Sequence, residues 1–372
     1  MHILRVAQQL YPDHTGGGAY HIHALSRDQA AMGHDVTVLT LSTDQSLPTV
    51  ERRDGYRVLR ERPCAELIGN QFSPAVWRRL RNVTHDVVHA HSHLYASTNL
   101  AAANRVVDDR PLAVTNHGVY SQSAPQWLFT TYLWTLGRVT FNRADRVFCY
   151  TAADERRLRS AGVDAPVTVV PNGIDTGRFT PEGPVHDAMR TDRPVVLFVG
   201  RLVDGKNPDH AVDAVARLRA RDVPVELVVC GEGPRRESLE RRVAERGVSD
   251  DVRFLGDRPY EAMPSIYRGA DLLVLPSRAE GFPRSVLEAF ASGVPAVTSD
   301  LEQLRGVVPA AGRTVPLNDV SALADALGGL FADPGRRETL GRRGRRLAVE
   351  RFRWSRTVER TTARLQRLCD GD

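Results

Sequence analysis

Two glutamates carry the most specific spacing in this chain. They lie in the segment Pro276-Ser-Arg-Ala-Glu280-Gly-Phe-Pro-Arg-Ser-Val-Leu-Glu288-Ala-Phe-Ala-Ser-Gly293. An apolar run ends at Leu275, which places Glu280 on a loop after a strand. Pro283 suits a first helical turn and Gly293 a C-terminal cap. The amides of Arg284 and Ser285 then fall at a helix N-terminus, where unpaired N–H groups and the helix dipole favour a phosphate. Glu288 sits about one turn deeper, roughly 6 Å along the axis from Arg284. One carboxylate therefore lies on each side of a phosphate-binding helix end. Ordinary capping and solvation is the alternative reading.

Lys206 is the single lysine among 50 lysines and arginines. It stands where a compact ammonium does what a planar guanidinium fork does not, or it is a chance remnant on a surface loop. The loop Arg201-Leu-Val-Asp-Gly-Lys206 follows the apolar run Pro194–Gly200. That is the carboxyl end of an expected parallel strand, the place where open α/β sheets bind ligands. Gly16-Gly17-Gly18 follows the first strand and opens a helix expected over Ala19–Met32. Glycines there let the backbone approach an anion at the helix N-terminus, or simply make a tight turn. The dinucleotide fingerprint is excluded, because His21 stands where its third glycine belongs.

Histidines punctuate the same half of the chain. His89, His91 and His93 alternate, so a strand would turn all three to one side. No cysteine or acidic cluster completes a metal site, and one functional histidine at the strand end is the expectation. His117, in Thr115-Asn-His-Gly118, also ends an expected strand. It reads either as a site residue or as a turn histidine.

These residues need elements to position them. Strands are expected at Ile3–Ala7, Asp35–Leu41, Val87–Ala90, Leu112–Thr115, Arg146–Tyr150 and Val167–Val170. A second set is expected at Val195–Val199, Val225–Cys230, Val252–Leu255, Leu272–Leu275 and Ala296–Thr298. Continuous apolar strands alternating with helical patterns predict parallel sheets covered on both faces. A break near residue 185 predicts two doubly wound α/β domains with a ligand cleft between their strand ends. Where the closing helical stretch after Phe352-Arg-Trp354 packs does not follow from periodicity.

The composition agrees with a folded enzyme-sized protein: 372 residues, 42% hydrophobic and 26% charged. No run approaches the roughly 18 apolar residues of a membrane helix. The chain opens directly on a strand-like segment without a secretory pattern, and Cys64, Cys149, Cys230 and Cys369 form no Cys-x-x-Cys pair. A reduced, cytoplasmic protein is therefore expected. Its net charge of +5 favours phosphates, nucleotides or an anionic membrane face. The arginine-dense segments Trp77–Arg81 and Arg336–Arg367 read as solvated helix faces, and no nucleic-acid partner is expected.

Together these motifs resemble the retaining glycosyltransferases of family 4. The resemblance runs nearly end to end: Gly16-Gly17, Gly33-His34-Asp35-Val36, Asp86–His91, Asn116-His117-Gly118, Pro171-Asn-Gly-Ile-Asp175, Phe198-Val-Gly-Arg-Leu202, Lys206, Gly231-Glu-Gly-Pro234 and the two glutamates. It implies a GT-B fold of two facing Rossmann-like domains, over residues 1–180 and 181–350. It also implies a tail, 351–372, that crosses back to the first domain. The implied activity moves a sugar from a UDP- or GDP-sugar to a sugar, lipid-linked or small-molecule acceptor. Neither a cofactor nor an essential metal is implied.

The roles carried over are these. Arg201 and Lys206 neutralise the donor diphosphate with the amides of Arg284 and Ser285, and Glu288 accepts the ribose hydroxyls. Glu280, with the amides near Phe282, holds the sugar. His117 contacts the sugar or acceptor, and Gly16-Gly17 lets the first domain close on the phosphate. Two departures stand out. Pro283 replaces a glycine common in relatives and removes one N–H, and Thr298-Ser-Asp-Leu-Glu302 replaces the usual glycine pair before an acidic residue. A nucleotide-sugar epimerase and a non-catalytic sugar-nucleotide-binding protein are the competing readings.

Overall fold

A computed structural model describes residues 1–67, 69–118 and 126–371. The chain divides into two compact units, one built from residues 1–119, 126–171 and 356–372, the other centred on 172–355. The division therefore falls at Pro171, earlier in the chain than residue 180. The helix Trp354–Asp370 joins the first unit from Arg356 onward.

In the first unit the strands are β1 (His2–Val6), β2 (Asp35–Leu41), β3 (Val50–Arg53), β4 (Tyr56–Glu61), β5 (Ala65–Leu67), β6 (Asn70–Phe72), β7 (Val87–His91), β8 (Leu112–Thr115), β9 (Arg146–Cys149) and β10 (Val167–Val169). Eight of them form one sheet in the order β10-β9-β8-β7-β1-β2-β4-β3. Only β3 runs antiparallel within it. β5 and β6 make a separate hairpin.

Four of these strands, β3 to β6, were not expected from the apolar runs. β3, β5 and β6 are mostly polar or exposed, and in β4 the buried Tyr56, Val58 and Leu59 are interrupted by Arg57 and followed by Arg60 and Glu61, so no continuous hydrophobic stretch marks them. A local signal for the first pair exists in Asp54-Gly55. Both residues are left-handed, with φ of 43° and 87°, as a two-residue hairpin turn requires.

The second unit holds β11 (Val195–Val199), β12 (Glu226–Cys230), β13 (Val252–Gly256), β14 (Leu272–Leu275), β15 (Ala296–Ser299) and β16 (Gly312–Val315). All six are parallel, in the order β13-β12-β11-β14-β15-β16. β11, Val-Val-Leu-Phe-Val, is apolar throughout because helices cover both faces of the sheet. The helix Pro208–Arg219 shows how the cover is made. Ala211, Val212, Val215 and Leu218 recur at helical spacing and bury in the core with Val196, Phe198 and Leu327. Truncating Leu218 to alanine there costs about 2–5 kcal/mol.

Both sheets reverse their winding once, at β1/β7 and at β11/β14. Loops leaving the carboxyl ends of such a pair diverge, one over each face of the sheet, and open a crevice between them. Every candidate site residue lies on, or one helical turn beyond, a loop at one of these two places or at β8 beside β7.

Candidate functional site

In the second unit, loops from β11 and β14 bring the charged candidates together. The β11 loop is held against the neighbouring Gly231-Glu-Gly-Pro234 turn. Gly200 N–H donates to Cys230 O, Leu202 N–H to Glu232 O, and Arg235 N–H returns to Leu202 O. Gly231 (φ 139°) packs so closely that a Cβ there would overlap the Gly200 carbonyl oxygen. The chain then turns through Asp204–Lys206 and left-handed Asn207, whose side chain donates to Pro276 O at 3.0 Å. Arg278 N–H donates to Gly205 O at 2.9 Å. The two loops are thus tied by hydrogen bonds on both sides of Lys206, one from the backbone and one from the Asn207 side chain.

Lys206 Nζ, largely buried, meets Glu280 Oε1 at 2.7 Å. Ser277 Oγ donates to the same oxygen at 2.7 Å and is itself fully buried. Arg201 is exposed at the start of the loop.

The helix after Glu280 spans Arg284–Ala291. Pro283, at φ −68° and ψ 122°, is its N-cap and not part of its first turn. Arg284 and Ser285 are therefore the first two helical residues, whose N–H groups no earlier turn can accept. At the other end Gly293 N–H bonds Phe290 O and Val294 N–H bonds Ala289 O, which closes the helix around left-handed Gly293.

Glu288 is buried on this helix. Tyr260 Oη donates to its Oε1 at 3.1 Å and Tyr267 Oη to its Oε2 at 2.8 Å. Burial and the carboxylate raise the Tyr267 phenol well above its ordinary value. The Arg284 guanidinium donates to Tyr260 Oη at 2.8 Å and Gly173 O at 3.2 Å. Phe282 turns inward, its ring 5.4 Å from that of Phe352, while its carbonyl accepts from Asn172.

In the first unit, Gly16 (φ 133°) caps the helix Gly17–Ala31, and Gly18 lies beside His117. His117 Nε2 is 3.0 Å from His91 Nδ1, and its Nδ1 is 2.8 Å from Tyr150 Oη. The His21 ring, one turn into the glycine-led helix, packs edge-on to His117 at 5.5 Å. His89 bonds Thr115 Oγ1 at 2.7 Å and approaches the guanidinium of buried Arg5. Burial lowers the His117 imidazole to about 4 and Arg5 to about 9. It also drives His89 and His91 well below the usual range, with the Arg5 guanidinium and the neighbouring histidines adding to the effect.

The expectation that His89, His91 and His93 share one side fails at the third. β7 ends at His91, and Ser92 takes φ 63°, which breaks the alternation. His93 instead packs among Phe141, Phe129 and Tyr132, with ring distances of 4.7, 5.8 and 6.0 Å. Among the described residues no group of three histidine, cysteine or acidic side chains is placed to hold a metal.

Sequence reasoning missed Ser277, Tyr260, Tyr267 and Tyr150. Ser277-Arg-Ala-Glu280 has the Ser-x-x-Glu spacing of a reciprocal cap, so Ser277 had a local signal. Tyr150 follows β9 as His117 follows β8, a relation visible only once the strands are in register. Tyr260 and Tyr267 reach Glu288 through tertiary packing alone.

Comparison with known proteins matches residues 185–347 to the family described as Glycosyl transferases group 1. Residues 15–178 match Glycosyltransferase Family 4. The chain is 31% identical to the GDP-mannose-dependent alpha-(1-6)-phosphatidylinositol monomannoside mannosyltransferase of Mycolicibacterium smegmatis, over 86% of this chain and 85% of that one. It is 30% identical to the glycogen synthase of Mycobacterium tuberculosis, over 98% and 94% of the two chains. Sucrose-phosphate synthase from Thermosynechococcus elongatus superposes with a TM-score of 0.85 at 23% identity, covering 100% of both chains, so the fold is GT-B.

Proposed function

This chain belongs to the group 1 glycosyl transferases of family 4, as a nucleotide-sugar-dependent enzyme, and from that premise we propose that it transfers the sugar of a UDP- or GDP-sugar with retention. The observation that carries the reading is the convergence of Lys206, Glu280 and the Arg284 helix end at the β11/β14 switch point. In it, Lys206, Arg201 and the amides of Arg284 and Ser285 take the donor diphosphate. Glu288, fixed by its two tyrosines, takes the ribose hydroxyls. Glu280, with the backbone near Phe282, orients the sugar, and His117 with the Gly16-Gly17 turn serves the sugar and acceptor side.

The bond between the anomeric carbon and the diphosphate oxygen breaks, and the nucleoside diphosphate leaves with the electron pair. Cations placed where that charge grows lower the barrier. Retention by double displacement requires a carboxylate nucleophile about 5 Å from an acid. Glu280 is already engaged by Lys206 and Ser277, which favours an orienting role for it. Front-face attack follows: the acceptor oxygen bonds the anomeric carbon, and its proton passes to the departing phosphate oxygen. No metal is needed in this scheme.

The acceptor reading follows from another surface. The helical run over residues 126–142 leaves Trp127, Leu128, Trp134, Leu136 and Val139 exposed. It carries Arg138 and no acidic residue. Apolar and cationic side chains on one helix suit an anionic bilayer surface. A lipid-linked acceptor at such a surface is the reading this favours, and the mannosyltransferase relative is named for phosphatidylinositol monomannoside.

A panel of UDP- and GDP-sugars, with glycolipid, glycan and inositol acceptors and mass-detected product, tests the activity. Acceptor-dependent nucleotide release with a retained anomeric centre supports the proposal. Acceptor-independent epimerisation, binding without turnover, or a trapped glycosyl–Glu280 adduct each removes it in that form. Sedimentation with phosphatidylglycerol vesicles but not phosphatidylcholine vesicles, lost in Trp127→Ala/Trp134→Ala, is the result expected for the membrane surface.

A further inference from the structure

Three adjacent parallel strands, β7, β8 and β9, deliver three side chains to one line at their carboxyl ends. His91 closes β7 opposite Thr115 of β8, and Thr115 lies opposite Phe148 of β9. His117 and Tyr150 each stand two residues beyond those partners. The resulting chain is continuous, with 3.0 Å from His91 Nδ1 to His117 Nε2 and 2.8 Å from His117 Nδ1 to Tyr150 Oη. His91 is fully buried and Tyr150 nearly so, while His117 is partly exposed. The exposed member is thus gripped at both ring nitrogens by buried ones.

A neutral imidazole has one N–H and one lone pair, so the chain must run in a single direction. His91 Nε2, at the far end, is buried without a hydrogen-bond partner among the described residues. A buried N–H left unpaired is rarer than an unpaired acceptor. His91 therefore carries its proton on Nδ1 and donates to His117 Nε2, and His117 Nδ1–H donates to Tyr150 Oη. Burial keeps His117 neutral, with its basicity lowered to about 4, so the arrangement holds at neutral pH. The His21 ring against His117 blocks rotation of the ring plane.

We propose that His91 and Tyr150 are positioning residues that fix the ring plane and tautomer of His117 for sugar transfer. This rests on His117 serving the transfer site. It deepens that reading: His117 offers a sugar a fixed, neutral ring edge and its peptide groups, and does not act as a free base.

The test combines histidine-selective ¹⁵N NMR with nucleotide release from GDP-mannose and UDP-glucose, in wild type, Tyr150→Phe, His91→Leu, His91→Asn and His117→Ala. Wild type should show His117 as one neutral tautomer, protonated on Nδ1, down to about pH 5. Tyr150→Phe and His91→Leu should mix or reverse that tautomer. Both should lower kcat about 10-fold, the scale of one oriented hydrogen bond, with KM within about 2-fold. His91→Asn places an amide donor near Nδ1 and should restore most of the wild-type rate.

Unchanged spectra, or changed spectra with wild-type kcat, overturn the proposal. His117→Ala separates the two levels. If it keeps the wild-type rate, the site reading itself is wrong. If it loses turnover while Tyr150→Phe and His91→Leu do not, only the positioning role falls.

Discussion

Lys206 Nζ and Glu280 Oε1 form a 2.7 Å ion pair across the β11 and β14 loops. The two residues expected to grip different parts of one donor grip each other. Ser277 Oγ donates to the same carboxylate oxygen, and Lys206 lies across Gly200. On the proposed reading, a donor diphosphate would compete with Glu280 for the ammonium.

That competition predicts opposite effects on binding and turnover. Glu280→Gln should bind UDP or GDP several-fold more tightly in calorimetry, because the cation is no longer neutralised, while kcat falls by about 100-fold or more. Weaker nucleotide binding in Glu280→Gln would show that Lys206 needs its carboxylate for position.

Lys206→Arg keeps the charge but must fit a planar guanidinium into a largely buried site against Gly200. It should lower kcat/KM by about 100-fold or more through misplacement of that charge. A wild-type rate would make the single lysine a compositional accident.

Tyr267→Phe removes the phenol that donates to Glu288 Oε2 at 2.8 Å in a fully buried setting. A stability loss of about 1–3 kcal/mol is expected from denaturant melts. The donor KM should rise with kcat nearly unchanged, since Glu288 is assigned to ribose binding.

His93 is fully buried, and among the described residues neither ring nitrogen makes a well-formed hydrogen bond. Burial lowers its basicity from 6.5 to about 3, with the polar side chain of nearby Asn116 acting in the opposite direction. The unfolded chain therefore binds a proton in a range where the folded one does not, and stability falls as pH drops below 6.5. Between pH 7 and 5 this group alone costs about 2 kcal/mol. His93→Leu should flatten that part of the stability–pH curve. Parallel wild-type and variant curves would show that the other buried histidines carry the acid sensitivity.

The architecture was legible because β-branched apolar runs of strand length alternate with helical patterns. The continuous apolar character of β11 and β14 required sheets covered on both faces. The loop positions of Glu280, Lys206 and His117 followed from where those runs end. β3 to β6 were not legible in the same way, since short or partly exposed strands, and a β4 whose apolar residues are broken by arginines, carry no continuous hydrophobic signal. The Asp54-Gly55 turn was the one local mark of the first pair.

The sequence by itself determined which residues sit at strand ends, because strand length and the switch in periodicity are local properties. It determined that a phosphate-seeking helix end follows Glu280, because the backbone of a first helical turn leaves its amides unpaired wherever it forms. Only the tertiary structure decided the pairings. Lys206 finds Glu280 because β11 and β14 are neighbours in a sheet whose winding reverses there. His117 finds His91 and Tyr150 because parallel register aligns the ends of β7, β8 and β9. Glu288 finds two tyrosines, and His93 a cluster of aromatic rings, through packing between distant segments. Hydrogen bonds and burial depend on separations of a few ångströms, set by the whole folded core and not by spacing along the chain.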